Sequence, residues 1–237
     1  EFVNLYSRTR GANRFPALIR TLELTYERPE VRERGFVLPD LEPLIRWISE
    51  TPVLSASALE EYDRTHDSPP AVLAQAARWS REVDANIKRI VRHVPPFPHV
   101  REALQKLGTF ADIVVVSATP HEALIREWSE FGLDRLVSVM AGQEVGTKQE
   151  SIRKAMQDRY DPENVLKIGD APGDFKAAEA NGVLFYPIIP GQEAESWQRL
   201  LAESADRFRG GSFRGSYMNE LKDSFFSVLL EAPAWKK

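Results

Sequence analysis

An α/β fold is what this sequence predicts: a parallel sheet core with helices on both faces, attached to an all-helical domain. Three observations carry it. Residues 1–94 place apolar side chains at three- and four-residue spacing and show no period-two strand. Residues 95–190 alternate helical stretches with short Val/Ile/Leu-rich runs, the texture of parallel strands covered on both sides. Pro95-Pro96-Phe97-Pro98 divides the two textures with a stiff segment that cannot continue a helix.

The elements follow in order. FVNLYSR, FPALIRTLEL, LEPLIRWISE, SALEEYDR and the long stretch from Ala71 to Val94 read as helices. Breakers at Arg28-Pro29, Leu38-Pro39, Thr51-Pro52 and Ser68-Pro69-Pro70 separate them. Beyond the prolines come helix His99 to Leu107, strand Ile113 to Val116, helix Pro120 to Phe131 and strand Leu136 to Met140. Helix Gln149 to Arg159, strand Val165 to Ile168, helix Phe175 to Ala180 and strand Val183 to Ile189 complete the alternation. Residues 191–237 read as two helices around Gly210-Gly211, an extension packed on the core. Trp47, Trp79 and Trp128 stand at helical spacing from other apolar residues and read as core.

Composition narrows the function. The 237 residues are 43% hydrophobic and 28% charged, as in a soluble globular protein. A net charge of -4 argues against general nucleic-acid affinity, which wants a basic face, so a small molecule is the expected partner. There is no cysteine, hence no disulfide, thiolate metal site or cysteine nucleophile; the cytoplasm is the expected compartment. No apolar run approaches the roughly 20 residues that span a bilayer, and EFVNLYSRTRG lacks the cationic-then-apolar order of a signal peptide.

The chemistry concentrates at strand ends. In VLKIGDAPGD an apolar run stops on Asp170 and Asp174, four residues apart, with Gly169 expected to free the backbone for the turn. Two close carboxylates repel unless a cation lies between them, and hard oxygen ligands suit magnesium. The alternative is that Asp170 satisfies turn amides and Asp174 caps the helix that follows. Ser117 ends the strand IVVV beside a helix N-terminus where an anion could rest; alternatively its hydroxyl bonds locally. Thr119–Glu122 and Thr147–Glu150 both have capping-box spacing. The second puts Lys148 in the first turn of a helix, where a cation opposes the dipole unless an anion compensates; a solvated surface lysine is the other reading. The glycines before Lys148 are too closely spaced for a Walker loop. Arg8, Arg10 and Arg14 could meet an anionic substrate or form a solvated helix end. Histidines 66, 93, 99 and 121 lack metal-ligand spacing.

Taken in order, VVVSATP, Lys148 at a helix start and KIGDAPGD resemble the haloacid dehalogenase superfamily, over residues 95 to 190 and three of its four motifs. The resemblance implies a Rossmann-like core and a helical cap, residues 1–94, that closes over the substrate. It implies that Ser117 and the Ala118 amide bind a phosphoryl group, that Lys148 neutralises charge, and that Asp170 with Asp174 holds Mg²⁺. The expected reaction is Mg-dependent phosphomonoester hydrolysis through an aspartyl-phosphate. A phosphotransferase or mutase, or an inactive ligand-binding relative, is the alternative. The family's first motif, a strand ending in Asp-x-Asp that carries the nucleophile, does not occur in this sequence; Pro39-Asp40-Leu41-Glu42 has no strand before it. That strand is central in the family's sheet, between the serine-motif and metal-motif strands. Its absence would leave apolar strands unpaired, and Glu1 starts a helix-like stretch without a cap. An upstream segment of roughly 10 to 25 residues, enough for one strand and a loop, is therefore expected.

Overall fold

A computed structural model describes residues 1–117, 119–157 and 159–236. The chain forms two compact units, one of residues 12–94 and one of residues 1–11 together with 95–237.

The first unit is built from helices α1 (Arg14–Glu27), α2 (Pro29–Glu33), α3 (Glu42–Glu50), α4 (Ala56–Thr65) and α5 (Ala71–Ile90). Asn13 and Ser55 start α1 and α4 by accepting N–H bonds from Phe15 and Ala58. Asp40 accepts the Glu42 N–H at 3.1 Å, which makes the Pro-Asp-Leu-Glu stretch a helix start. Phe15, Leu44, Trp47, Leu59 and Leu73 are buried together, and the Phe15 and Trp47 rings meet edge to face at 5.2 Å. Each such side chain contributes about 1.5–3 kcal/mol by leaving water. Trp79 packs against this cluster. Arg14 pairs with Asp84 at 2.7 Å and bonds to Ser80, fastening α1 to α5. Helix α5 stops at Ile90 rather than at Val94, because the prolines that follow favour extended backbone before them.

The second unit opens with one π-helical turn, Phe2–Tyr6, and a parallel bridge between Ser7 and Leu230. Then follow α6 (Val100–Leu107), β1 (Val114–Val116), α7 (His121–Glu130), β2 (Val139–Ala141), α8 (Lys148–Met156), β3 (Leu166–Gly169), α9 (Pro172–Ala180) and β4 (Leu184–Pro187). Helix α10 (Glu193–Arg199) runs through a π-turn, Leu200–Ser204, into α11 (Ala205–Arg209), and α12 (Ser216–Val228) comes last. Trp128, on α7, packs against Val100, Leu104 and Leu133. Among the described residues all strand pairing is parallel: β1 with β2, Val114 opposite Val139, and β3 with β4, Leu166 opposite Leu184.

Among the described residues the four strands therefore form two separate two-stranded sheets rather than one. Local apolar runs set where strands lie, whereas pairing depends on which backbone edges find partners. The β3–β4 pair is the better covered. Leu184, Tyr186 and Ile188 enter one cluster with Leu107, Leu200 and Phe213, while Val183, Phe185 and Ile189 enter another with Ile152, Ala178 and Phe225. That alternation buries β4 on both faces, while β1 and β3 stay only half-buried along their length. No helix among the described residues is long and apolar enough to cross a membrane.

Candidate active site

The site is assembled at the end of β3. Strand alternation puts Lys167 and Gly169 on one face and Leu166 and Ile168 on the other. The strand runs into Asp170, and α9 begins two residues later, at Pro172. Asp174, in the first turn of α9, folds back so that its Oδ2 accepts the Ala171 N–H at 3.3 Å. Its side chain then lies over Gly169: a Cβ built there would stand 2.4 Å from Asp174 Cβ and Cγ. Gly169 lies within the strand and is needed for room, which corrects the expectation that it frees the backbone to turn.

Asp174 is 2% exposed, and its Oδ1 meets two lysines. Lys148 Nζ, brought in by the first turn of α8, donates at 2.7 Å; Lys167 Nζ, from β3, lies at 3.1 Å. Burial pushes the Asp174 carboxyl up, but Lys167 and then Lys148 outweigh it and hold it below the usual carboxylate range. Lys148 is in place because the Thr147–Glu150 capping box forms with both reciprocal bonds, as its spacing predicts.

Asp170 is held from the beginning of the chain. Arg10 donates from Nε to the Asp170 carbonyl at 2.7 Å and from Nη2 to Oδ2 at 2.5 Å. The other members of the basic cluster are engaged elsewhere, Arg8 with Glu231 and Arg14 with Asp84.

Ser117 sits at the tip of β1. Its N–H donates to Ala141, and its Oγ accepts the Thr119 N–H at 3.1 Å, the local bond that the sequence left as an alternative. Ala118 lies outside the described residues. The expected Thr119–Glu122 box does not form: Pro120 takes the N-cap position, and the α7 N-terminus receives a carboxylate from a distant loop instead. Glu144 accepts the His121 N–H with both oxygens, at 3.2 Å each. Gly142 permits this approach, since a Cβ there would lie 2.6 Å from His121 N.

Of the residues singled out in the sequence, Lys148 and Asp174 are thus joined directly. Asp170 is tied to Arg10, and among the described residues Ser117 bonds through its amide to Ala141 and through its hydroxyl to Thr119. Lys167 and Glu144 went unnoticed. The signal for Lys167 was a charged residue inside an apolar strand, which needs a buried partner; nothing local marks Glu144.

Among the described residues no three His, Cys, Asp or Glu side chains gather as a metal cluster. The donor set nevertheless suits magnesium, which is commonly held by one or two carboxylates with water and substrate phosphate completing the shell. Asp170 has half of its side chain exposed at the sheet edge, but its Oδ2 is paired with Arg10, so an ion there would share the carboxylate with that guanidinium or displace it.

A family model for haloacid dehalogenase-like hydrolases matches residues 41–188, more than half of the chain. Comparisons with curated proteins and with solved structures gave no match.

Proposed function

Since the chain belongs to the haloacid dehalogenase-like hydrolase family, we propose that it is a magnesium-dependent phosphomonoesterase acting on a small phosphorylated metabolite. The observation that carries this reading is the ion pair of Lys148 with Asp174, which gathers a helix-start lysine and the acidic loop after β3 at one strand end. Asp170 and Asp174 would hold the metal, Asp170 through its more exposed carboxylate. Bound magnesium would supply positive charge opposite the phosphoryl oxygens.

The remaining work falls to side chains and amides. Lys148 turns to the phosphoryl group and offsets the charge that spreads over its equatorial oxygens. Ser117 releases the Thr119 amide and donates its hydroxyl to one of those oxygens. On this reading the nucleophile would be an aspartate at the tip of a strand paired with β1 and β3, a motif that residues 1–237 do not contain; among the described residues β1 pairs only with β2 and β3 only with β4, which is compatible with such a strand. Its carboxylate oxygen bonds to phosphorus as the ester oxygen departs with a proton from a second aspartate. Water, deprotonated by that same group, then cleaves the acyl phosphate and releases inorganic phosphate. The helical unit of residues 12–94 acts as the cap whose side chains choose the substrate.

The test is turnover of p-nitrophenyl phosphate and a panel of sugar, nucleotide and short organic phosphates, with magnesium, by the protein in a form that includes the nucleophile-bearing strand. Hydrolysis is expected, and Asp170→Ala should remove both it and its magnesium dependence. Substantial turnover surviving in that variant rejects the assignment, and no turnover of any ester by that form favours a ligand-binding protein instead.

A further inference from the structure

Asp174 has two cations where charge balance asks for one, and the two are unlike. Lys167 stands on β3 with its side chain 13% exposed, on the strand face that Gly169 leaves open for the carboxylate. Lys148 stands in the first turn of α8 with its side chain 31% exposed, where the helix dipole disfavours a cation. Among the described residues, the carboxylate between them is otherwise satisfied only by the Ala171 N–H.

A buried carboxylate that loses its sole counter-ion carries a large penalty, because neither water nor a second charge replaces what is lost. In the metal-free protein, if Lys148 were the only partner of Asp174, it could approach a phosphate only by leaving that carboxylate uncompensated. We infer that Lys167 is a positioning residue: it retains Asp174 and so releases Lys148 to an incoming phosphoryl dianion. This rests on the reading of Lys148 as the phosphate ligand and adds the residue that makes such a movement possible. Lys167 itself stays on the strand and does not touch the substrate.

Inorganic phosphate binding to the full chain, measured by isothermal titration calorimetry in EDTA, separates the two ideas. Lys148→Met should abolish or greatly weaken binding; wild-type affinity in that variant, or no binding by the wild type, overturns the phosphate-ligand reading and this inference with it. With that reading intact, Lys167→Gln should weaken phosphate on the order of tenfold, because Lys148 is then held on Asp174 and its free fraction falls. Lys167→Arg should restore wild-type affinity. Asp174→Asn removes the need for a buried counter-ion, so it should bind phosphate at least as tightly as the wild type. Adding Lys167→Gln to it should change affinity by less than about threefold, since additivity fails only where the two positions are coupled through the carboxylate. Wild-type affinity in Lys167→Gln, or its full tenfold loss persisting beside Asp174→Asn, overturns the inference while leaving Lys148 as the ligand. If Lys167→Gln does not fold, the Asp174→Asn pair decides, and a tenfold loss in Asp174→Asn alone also overturns it.

Discussion

Gly169 shows how much one missing methyl group can decide. Asp174 occupies the space that a side chain at 169 would fill, so Gly169→Ala should push the carboxylate off its lysines. Overpacking of this kind costs about 1–3 kcal/mol. A lowered thermal midpoint together with weakened phosphate binding is the expected result, to be read by a melt and by calorimetry. Glu150 offers a pH test of the neighbouring helix start. Bonds from the Thr147 N–H and hydroxyl hold its carboxyl below the usual range. A carboxyl depressed in the folded state stabilises fully above its unfolded value, near ~4.3, and loses that contribution as pH falls through the lower folded value. NMR titration should find Glu150 low in the wild type and only partly relieved in Thr147→Val, which removes the hydroxyl bond but keeps the amide bond. At this scale Lys148 was legible from the capping-box spacing around it, and Asp170 and Asp174 from the abrupt stop of an apolar run on two carboxylates. Lys167 was hidden inside such a run, and the purpose of Gly169 depends on a side chain five residues away that only the folded loop brings over it.

Among elements, α7 is the informative case. Its N-terminal amide is taken by Glu144, 23 residues further along the chain, in the position where an anion would be received. Glu144→Ala should therefore have two opposed effects: a loss of about 0.3–1 kcal/mol at the α7 N-terminus and tighter binding of inorganic phosphate. A melt and a titration measure them, and unchanged phosphate affinity would show that this helix end takes no part in anion binding. The contrast with α8 explains what sequence can give. Thr147 and Glu150 cap each other within one turn, so their spacing is a sufficient signal, whereas Thr119 and Glu122 lose to a competitor that proximity in sequence cannot announce. Strands behave likewise: all four were visible as Val/Ile/Leu-rich runs, yet their division into two pairs was not, since ladder partners are chosen across the fold.

For the whole molecule, each unit has a core of its own. Phe15, Leu44, Trp47, Leu59 and Leu73 pack within residues 12–94, so that stretch expressed by itself should be helical and melt cooperatively, as circular dichroism would show. A non-cooperative melt would mean that its stability is borrowed from the rest of the chain. The link between the units is exposed at Val91, Val94 and Phe97, and trypsin should cut the native protein first at Arg92. The proline cluster stands where the units divide after Val94, whereas residues 1–11, which the sequence groups with the helical stretch 1–94, fall in the other unit.

Tyr6 and Arg8 exchange backbone bonds with Leu230, so two stretches more than two hundred positions apart in sequence lie side by side. Anything that pries these two stretches apart must break both of those bonds, and it would carry away the clasp of Arg10 on Asp170 that the same stretch delivers.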